Sequence, residues 1–417
     1  MSSRWKAIRI SGSACGILGS RRRLNIVQVG TGIRAISPTS SGGIERYIFH
    51  LSRGLAELDQ QVLLFDITSQ TVHTKDYCDY RPIFVPPLCG TGPIVHLVRM
   101  AIFCSRLVLH LFRLIHNLHI DVVHTHSQMS FGAVILLRAL TRSRFRLVHT
   151  VHNPNLFAGI KTYSMAIEIA GLSRTDAVIV LTRSTRDLIV KNFRVDPHRL
   201  FVVPTGFDEE GITKFKLASH KKNRRSQQKV VLCVSRICRR KNQLTILRAI
   251  PLVLEQVRNI SFVFIGPVEE KDYLNEMVAF VRDHGLDRSV QFLGEVSKER
   301  LYETYEQSSI FVLASFGEVQ PQALLEAMSF GIPSVASNTG AVLDMARLAD
   351  GTLGVLLVDP TSHEQIADMV IRLLTDGQLA EMLQDAGRRI ASAYSWKEIR
   401  GRVLEVYQSG LTAVLSR

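Results

Sequence analysis

Ile310-Phe311-Val312-Leu313-Ala314-Ser315-Phe316-Gly317-Glu318-Val319-Gln320-Pro321-Gln322-Ala323-Leu324-Leu325-Glu326-Ala327-Met328 is the stretch that decides how this chain folds. Its first five residues form a short apolar run that reads as a buried strand. Pro321 suits the first position of a helix, where its missing N–H costs nothing. Ala323 to Ser329 is a good helix-forming stretch, closed by Gly331 with Pro333 just beyond. Two carboxylates follow from this layout, Glu318 just outside the helix and Glu326 within it. At about 1.5 Å per residue they stand roughly 12 Å apart along the axis. The plain reading makes Glu318 a dipole-favoured charge at a helix start and Glu326 a solvated surface residue.

The same strand-then-helix unit recurs on both sides. Upstream, strand-like runs lie at Leu24 to Val29, Gln61 to Phe65, Asp121 to His124, Arg146 to Val151, Ala177 to Leu181 and Leu200 to Val203. An amphipathic helix is expected near Gly43 to Leu58, and helical patterns separate most of the other strands. After a Lys/Arg-dense stretch from Lys214 to Lys229, a second series begins. It comprises Lys229 to Val234, Ser261 to Ile265, Ser289 to Leu293, Ile310 to Ala314, Pro333 to Ala336 and Leu353 to Val358. This βαβ alternation predicts an α/β protein of two doubly wound, Rossmann-like domains with a cleft between them. The expected divisions are a basic, disordered leader at 1–23, a first domain at 24–210, a basic linker at 211–229, a second domain at 230–393 and a terminal segment at 394–417. Length 417 and a hydrophobic fraction of 46% support cores of that size.

Composition narrows the setting. The six cysteines match neither a zinc spacing nor a small disulfide framework, so a reducing cytosol is expected. The apolar part of the leader is too short and too broken by Gly and Ser for a signal peptide. No apolar stretch long enough to span a bilayer is free of charges.

Ligands of doubly wound sheets bind at the carboxyl ends of the strands, so residues just after strands carry the functional weight. Ser40-Ser41-Gly42-Gly43-Ile44-Glu45-Arg46 follows the first strand, and its paired glycines let backbone N–H groups approach a phosphate or sugar at a helix start. A flexible turn is the alternative. Ser235-Arg236-Ile237-Cys238-Arg239-Arg240-Lys241-Asn242 follows the first strand of the second series. Arg236 offers a planar fork and Lys241 a point charge, a pair suited to a diphosphate. Val122-Val123-His124-Thr125-His126 and Val148-His149-Thr150-Val151-His152-Asn153 put histidines at strand ends. His124 and His149 read as structural, whereas His126 and His152 lie further out, where the cleft is expected. The span from Glu318 to Glu326 suits a nucleotide-diphosphate sugar, one acid on a ribose and the other on the transferred sugar. No Asp-x-Asp follows a strand and no histidine spacing fits a zinc site, so no metal or other cofactor is expected.

Taken in order, Gly42-Gly43-x-Glu45, the histidine motifs, Val203-Pro204-Thr205-Gly206-Phe207-Asp208, Arg236-x4-Lys241 and Glu318-x7-Glu326 resemble the retaining glycosyltransferases of family 4, which have the GT-B fold. The resemblance runs from about residue 24 to residue 410. It includes Tyr394-Ser395-Trp396 and the following helix through Tyr407, which looks like the family's terminal helix crossing back onto the first domain. The resemblance implies that Arg236 and Lys241 hold the donor diphosphate and that Glu326 binds the ribose. Glu318 and His152 would contact the transferred sugar, and Gly42 and Gly43 would admit a phosphate or the acceptor. Val319, Gln320 and Gly206 join the donor set, and His126 joins the acceptor loop. Front-face attack, with the leaving phosphate oxygen taking the acceptor proton, is the implied route to retention, and a covalent intermediate on Glu318 is the alternative. The chain departs from the family at three places. Val319-Gln320-Pro321 replaces Gly-Phe-Gly, Thr205 replaces Asn, and Asp344 stands for the usual Glu after Gly340.

Fifty-one basic against thirty-seven acidic residues give a net charge of +14, and Tyr80 to Ile120 contains no acid. In this region Arg99, Arg106 and Arg113 recur every seven residues, with His96, His110 and Asn117 on the same side of the expected helix 93–118. Ile94, Leu97, Val98, Ala101, Cys104, Val108, Leu111, Phe112 and Ile115 fill the other. Such a helix can lie on anionic lipid, each cation adding about 1 kcal/mol. The resulting expectation is a cytoplasmic protein, peripheral on the inner membrane face, using a UDP-, GDP- or ADP-sugar and a lipid-linked or glycan acceptor. A sugar-nucleotide epimerase of the same build should instead show an acid/base set in place of the Arg236/Lys241 pattern. Nucleic acid is not an expected partner, since aromatic residues are not interleaved with the basic runs.

Overall fold

The computed structural model describes residues 22–37, 43–68, 77–86, 92–152, 163–193, 195–219 and 228–411. Gly42, most of the leader and the second half of the expected linker lie outside the described residues.

The first sheet has seven strands in the order β3-β2-β1-β4-β5-β6-β7. They are β1 (Asn25–Val29), β2 (Gln61–Thr68), β3 (Asp79–Phe84), β4 (Val122–Thr125), β5 (Arg146–Val151), β6 (Ala177–Val180) and β7 (Leu200–Val202). Every pairing is parallel, with Gln28 opposite His124 and Thr125 opposite His149. Among the strands, β3 was not expected. Pro82 masks it in the sequence, and it is tolerated because β3 is an edge strand. The second sheet has six parallel strands in the order β10-β9-β8-β11-β12-β13. These are β8 (Lys229–Val234), β9 (Ile260–Ile265), β10 (Val290–Gly294), β11 (Ile310–Leu313), β12 (Ser334–Ser337) and β13 (Leu356–Val358). The order reverses between β1 and β4 in one sheet and between β8 and β11 in the other, which makes those strand ends the crevices for ligands.

Alternation along β1 explains how the first sheet is covered. Val27 and Val29 pack with Phe65, Phe103 and Phe131 under α2 (Pro93–Asn117) and α3 (Gln128–Thr141). Ile26 points the other way, into a core with Ile48 and Leu51 of α1 (Gly43–Glu57). That second face is completed by the far end of the chain. Helix α14 (Trp396–Gln408) lays Ile399, Val403, Leu404, Val406 and Tyr407 against it, all buried. At about 1.5–3 kcal/mol for each large apolar side chain, the crossing helix is an integral part of the first domain.

Two expectations are corrected here. The segment assigned to a basic linker begins as helix α6 (Glu209–Ser219). Its Ile212 is buried and its Phe215 packs beside Tyr302 and Phe330, in the second domain's core. Those two apolar residues, three apart, outweigh Lys214 between them and Lys216 just after. In α2 the buried stripe is Met100, Phe103, Leu107 and Leu111, whereas Ile94 (75%), Leu97 (43%), Val98 (42%) and Phe112 (43%) are exposed. The helix is apolar around most of its circumference, so composition did not reveal which apolar edge faces the core. By length and composition Ile94–Asn117 of α2 would also suffice to cross a membrane, but its Phe103 stripe is packed on the sheet.

Candidate functional site

In the second domain the chain leaves β8 at Val234, makes a 3-10 turn at Arg239–Lys241, and enters α7 (Gln243–Gln256). Asn242 sits between turn and helix with φ 57°, a left-handed conformation that Asn tolerates. Its Nδ2 donates to the carbonyls of Ala314 (3.0 Å) and Pro360 (2.6 Å), and its Oδ1 accepts from Thr245 Oγ1. The turn is thereby tied to the ends of β11 and β13. A second tie comes from Arg240, whose guanidinium donates to the Gly317 carbonyl and whose own carbonyl accepts from the Phe316 N–H.

This framework brings Lys241 Nζ to 2.5 Å from Glu318 Oε1, with side chains only 13% and 7% exposed. Arg236 is open to solvent and rests on Glu269 at 2.8 Å. Both cations expected to meet a diphosphate are therefore held by carboxylates. Glu326, on α10 (Gln322–Phe330), accepts a hydrogen bond from Tyr305 Oη at 3.0 Å. Burial pushes its carboxyl up to about 7, opposed by that hydrogen bond and by the charge of Arg46 on α1. Arg46 belongs to the first domain, so the field at Glu326 is set from both sides of the cleft. Pro321 caps α10 from outside and does not form its first turn.

Several buried side-chain atoms lack a hydrogen-bond partner among the described residues, and four of them fall in this region: Gln243 Oε1, Ser315 Oγ, Gln322 Nε2 and Thr339 Oγ1. Ser315 and Thr339 lie two residues beyond β11 and β12, and Gln243 and Gln322 open the helices α7 and α10 that follow β8 and β11. Such orphans are rare in folded proteins, and these four are candidate contacts for a polar ligand. Sequence reasoning missed this set. Their only signal was position, Ser315 and Thr339 just after strands and Gln243 and Gln322 at helix starts, since Ser, Thr and Gln are otherwise unremarkable there.

The first domain's wall is built differently. His152 is half-buried after β5, with its Nε2 3.3 Å from His126 Nδ1. His126 is not in the open cleft as expected. It is 2% exposed, bonded through Nε2 to Gln28 Oε1 at 2.8 Å. Gln28 Nε2 donates to Tyr407 Oη (2.8 Å), which lies 2.6 Å from His124 Nδ1. His124 Nε2 reaches Thr150 Oγ1, and His149 Nε2 reaches Glu168 Oε1, which makes these two the structural histidines they were read as. Desolvation lowers the pKa of His124 and His126 well below the ordinary value and that of His152 to about 3. The rings are neutral at physiological pH. Tyr47 packs edge-on to His126, His152 and Trp396.

The remaining expected site residues serve the boundary between the walls. The Gln320 amide accepts from the Thr205 N–H (2.8 Å) and donates to the Thr205 carbonyl (2.6 Å), clasping the first domain instead of standing free for a sugar. Val319 beside it is half-buried. Asp344 accepts from the Ser184 N–H at 2.8 Å, capping a first-domain helix from the second domain. Gly206 lies under Trp396, where a Cβ would come within 2.6 Å of the indole. Gly43 begins α1 and is exposed. Among the described residues no three His, Cys, Asp or Glu side chains gather as a metal site.

Comparison with known proteins agrees with this layout. The family described as Glycosyltransferase Family 4 matches residues 41–210, and Glycosyl transferases group 1 matches residues 215–390. The chain is 25% identical over 387 residues to a component of the phosphatidylinositol N-acetylglucosaminyltransferase of Arabidopsis thaliana, covering 89% of this chain and 79% of that one. It is 25% identical over 351 residues to the UDP-Gal:alpha-D-GlcNAc-diphosphoundecaprenol alpha-1,3-galactosyltransferase of Escherichia coli, covering 80% and 85%. Among solved structures, the sucrose-phosphate synthase of Thermosynechococcus elongatus superposes with TM-score 0.74 at 21% identity, over 94% of this chain and 100% of that one. HepE of Anabaena, in complex with UDP and glucose, superposes with TM-score 0.69 at 16% identity, over 93% and 100%. Two parallel sheets with facing switch points, and family matches that together run from residue 41 to residue 390, make one conclusion: this chain is a glycosyltransferase of family 4, group 1, with the GT-B fold.

Proposed function

We propose that the protein transfers a hexosyl group, with retention, from a nucleotide-diphosphate sugar to a lipid-linked acceptor at an anionic membrane surface. The observation that carries the donor half is the buried Lys241–Glu318 pair at the β8/β11 switch point, with Glu326 in the helix α10 that follows β11. An incoming diphosphate competes with Glu318 for Lys241 and with Glu269 for Arg236. Glu318, once released, is free to accept from a sugar hydroxyl. The two cations then stabilise the charge that develops on the leaving phosphate, a role for fixed charges in a site of low dielectric. His152 faces the transferred sugar from the opposite wall, and a leaving phosphate oxygen takes the acceptor proton. Glu326 accepts from the ribose. An epimerase reading has no counterpart for this arrangement of paired cations.

The acceptor half rests on α2. Ile94, Leu97, Val98 and Phe112 lie exposed along one stripe about 27 Å long at 1.5 Å per residue, edged by Arg99, Arg106 and Arg113. No acid interrupts it, so apolar insertion and attraction to anionic lipid act together. Both relatives named above carry lipid substrates in their names. The direct test incubates the enzyme with labelled UDP-, GDP- or ADP-sugars and a membrane lipid extract. Label in the organic phase with the donor's anomeric configuration is the expected result. Water-soluble label alone, or an inverted product, would contradict the proposal. In vesicle flotation, changing Arg99, Arg106 and Arg113 together to Gln should weaken binding to anionic vesicles by roughly a hundredfold, at about 1 kcal/mol per cation.

A further inference from the structure

The buried polar chain behind His152 does more than satisfy its members, because its hydrogen bonds have a direction. We infer that Tyr407, on the crossing helix, is a positioning residue: through Gln28 and His126 its single phenolic proton selects whether the open nitrogen of His152, Nδ1, accepts from or donates to the substrate. The inference rests on the proposed contact of His152 with the transferred sugar, but its geometry is independent of that reading.

The direction follows from counting donors. Gln28 turns its amide nitrogen to Tyr407 Oη and its carbonyl oxygen to His126 Nε2. An amide oxygen only accepts, so the proton between Gln28 and His126 sits on His126 Nε2. His126 is buried and neutral, hence its Nδ1 is a lone pair. The contact at 3.3 Å from His126 Nδ1 to His152 Nε2 then needs the proton on His152 Nε2. A neutral His152 protonated there has an unprotonated Nδ1, and that nitrogen has no other hydrogen-bond partner among the described residues. His152 therefore offers the cleft an acceptor, suited to a hydroxyl that donates. The other arm agrees. Tyr407 accepts from Gln28, so its own proton goes to His124 Nδ1 at 2.6 Å, and His124 Nε2–H donates to Thr150. Tyr407, Gln28 and His124 are fully buried and His126 nearly so, so no solvent molecule competes for any of these protons.

Reversing the phenol would reverse every bond in the series, turning His152 Nδ1 into a donor. The terminal helix thus sets the polarity of a cleft residue 255 positions away in sequence. Sequence spacing gives no hint of this, because the five residues come from β1, β4, β5 and α14 and the turns that follow them.

Nitrogen NMR of histidine-labelled protein tests it, with the His152 ring assigned by the signals missing from His152→Asn. The expected wild-type state has His152 protonated on Nε2 and bare on Nδ1. In Tyr407→Phe the His152 signals should shift or split into both tautomers. The variant's kcat should fall about three- to tenfold with the donor KM changed less than about twofold, the pattern of lost orientation and not of lost binding. Wild-type His152 protonated on Nδ1, or an unchanged tautomer in Tyr407→Phe, would overturn the inference. If Tyr407→Phe does not fold, the wild-type spectrum decides alone. Correct tautomers in a protein that transfers no sugar would uphold the relay and count against the proposed reaction.

Discussion

The two walls of the cleft present opposite solutions to holding polar groups in place. The first-domain wall is neutral: His124, His126 and His152 have lost their charge to burial, and each is placed by a neighbour that is itself fixed. The second-domain wall is ionic. Lys241 and Glu318 neutralise one another, as do Arg236 and Glu269, while several buried polar atoms have no partner among the described residues. A neutral network keeps its geometry whether or not a ligand is present. Paired charges exchange partners when a stronger anion arrives. On the proposed function the two walls divide the work: the first domain would orient the sugar and the second would capture the diphosphate.

The sharpest break in this comparison is Lys241→Ala. It removes the charge meant for the leaving group and strands Glu318, which is 7% exposed. Loss of one preorganised charge of this kind lowers kcat by about 10²- to 10³-fold. A stranded buried charge also lowers stability by about 3–5 kcal/mol, read by denaturant unfolding. A variant with near-normal turnover would remove the ionic wall from the mechanism.

Next in size is the pH response of Glu326. Its folded-state value of about 7 lies above the ordinary 4.5, so between these values the folded protein holds a proton that the unfolded chain has released. Stability is therefore greatest below about pH 4.5 from this group, falls as pH rises toward 7 and levels beyond, a change on the order of 1–3 kcal/mol. Glu326→Gln should flatten that slope. Donor binding should run the other way in the wild type and strengthen as the carboxylate ionises, because a ribose hydroxyl donates best to the charged form.

The smallest effect concerns the seam between the walls. Gln320→Ala removes both bonds to Thr205, at about 1 kcal/mol of net stability. Hydrogen exchange at the Thr205 amide should quicken while exchange in β8 and β11 is unchanged.

How much was legible in advance follows the same division. Each strand end that bears a charged motif was found, because βαβ periodicity locates strand ends and charge there stands out. The later residues of α6, from Lys214, were lost in a lysine-rich stretch, and β3 was hidden by Pro82. Burial of His126 could not be read from Val122-Val123-His124-Thr125-His126, since its depth depends on Gln28 and Tyr407, which are distant in sequence. Asn242 closes the run quoted for Arg236 and Lys241 but carried no signal of its own. Its grip on Ala314 and Pro360 depends on strands that only the folded sheet brings together. Gln320 departs from the family pattern at a position expected to meet the donor. Its partner turned out to be backbone of the other domain.

The most direct test of the central claim is a thermal-shift series with UDP-, GDP- and ADP-sugars on the wild type and Lys241→Ala. At a hundredfold excess over its dissociation constant the matched donor should stabilise the wild-type fold by about 2.7 kcal/mol. The melting temperature should rise with one base, and that rise should be lost in the variant. A wild type unmoved by every nucleotide sugar, or a variant that responds as the wild type does, would contradict it.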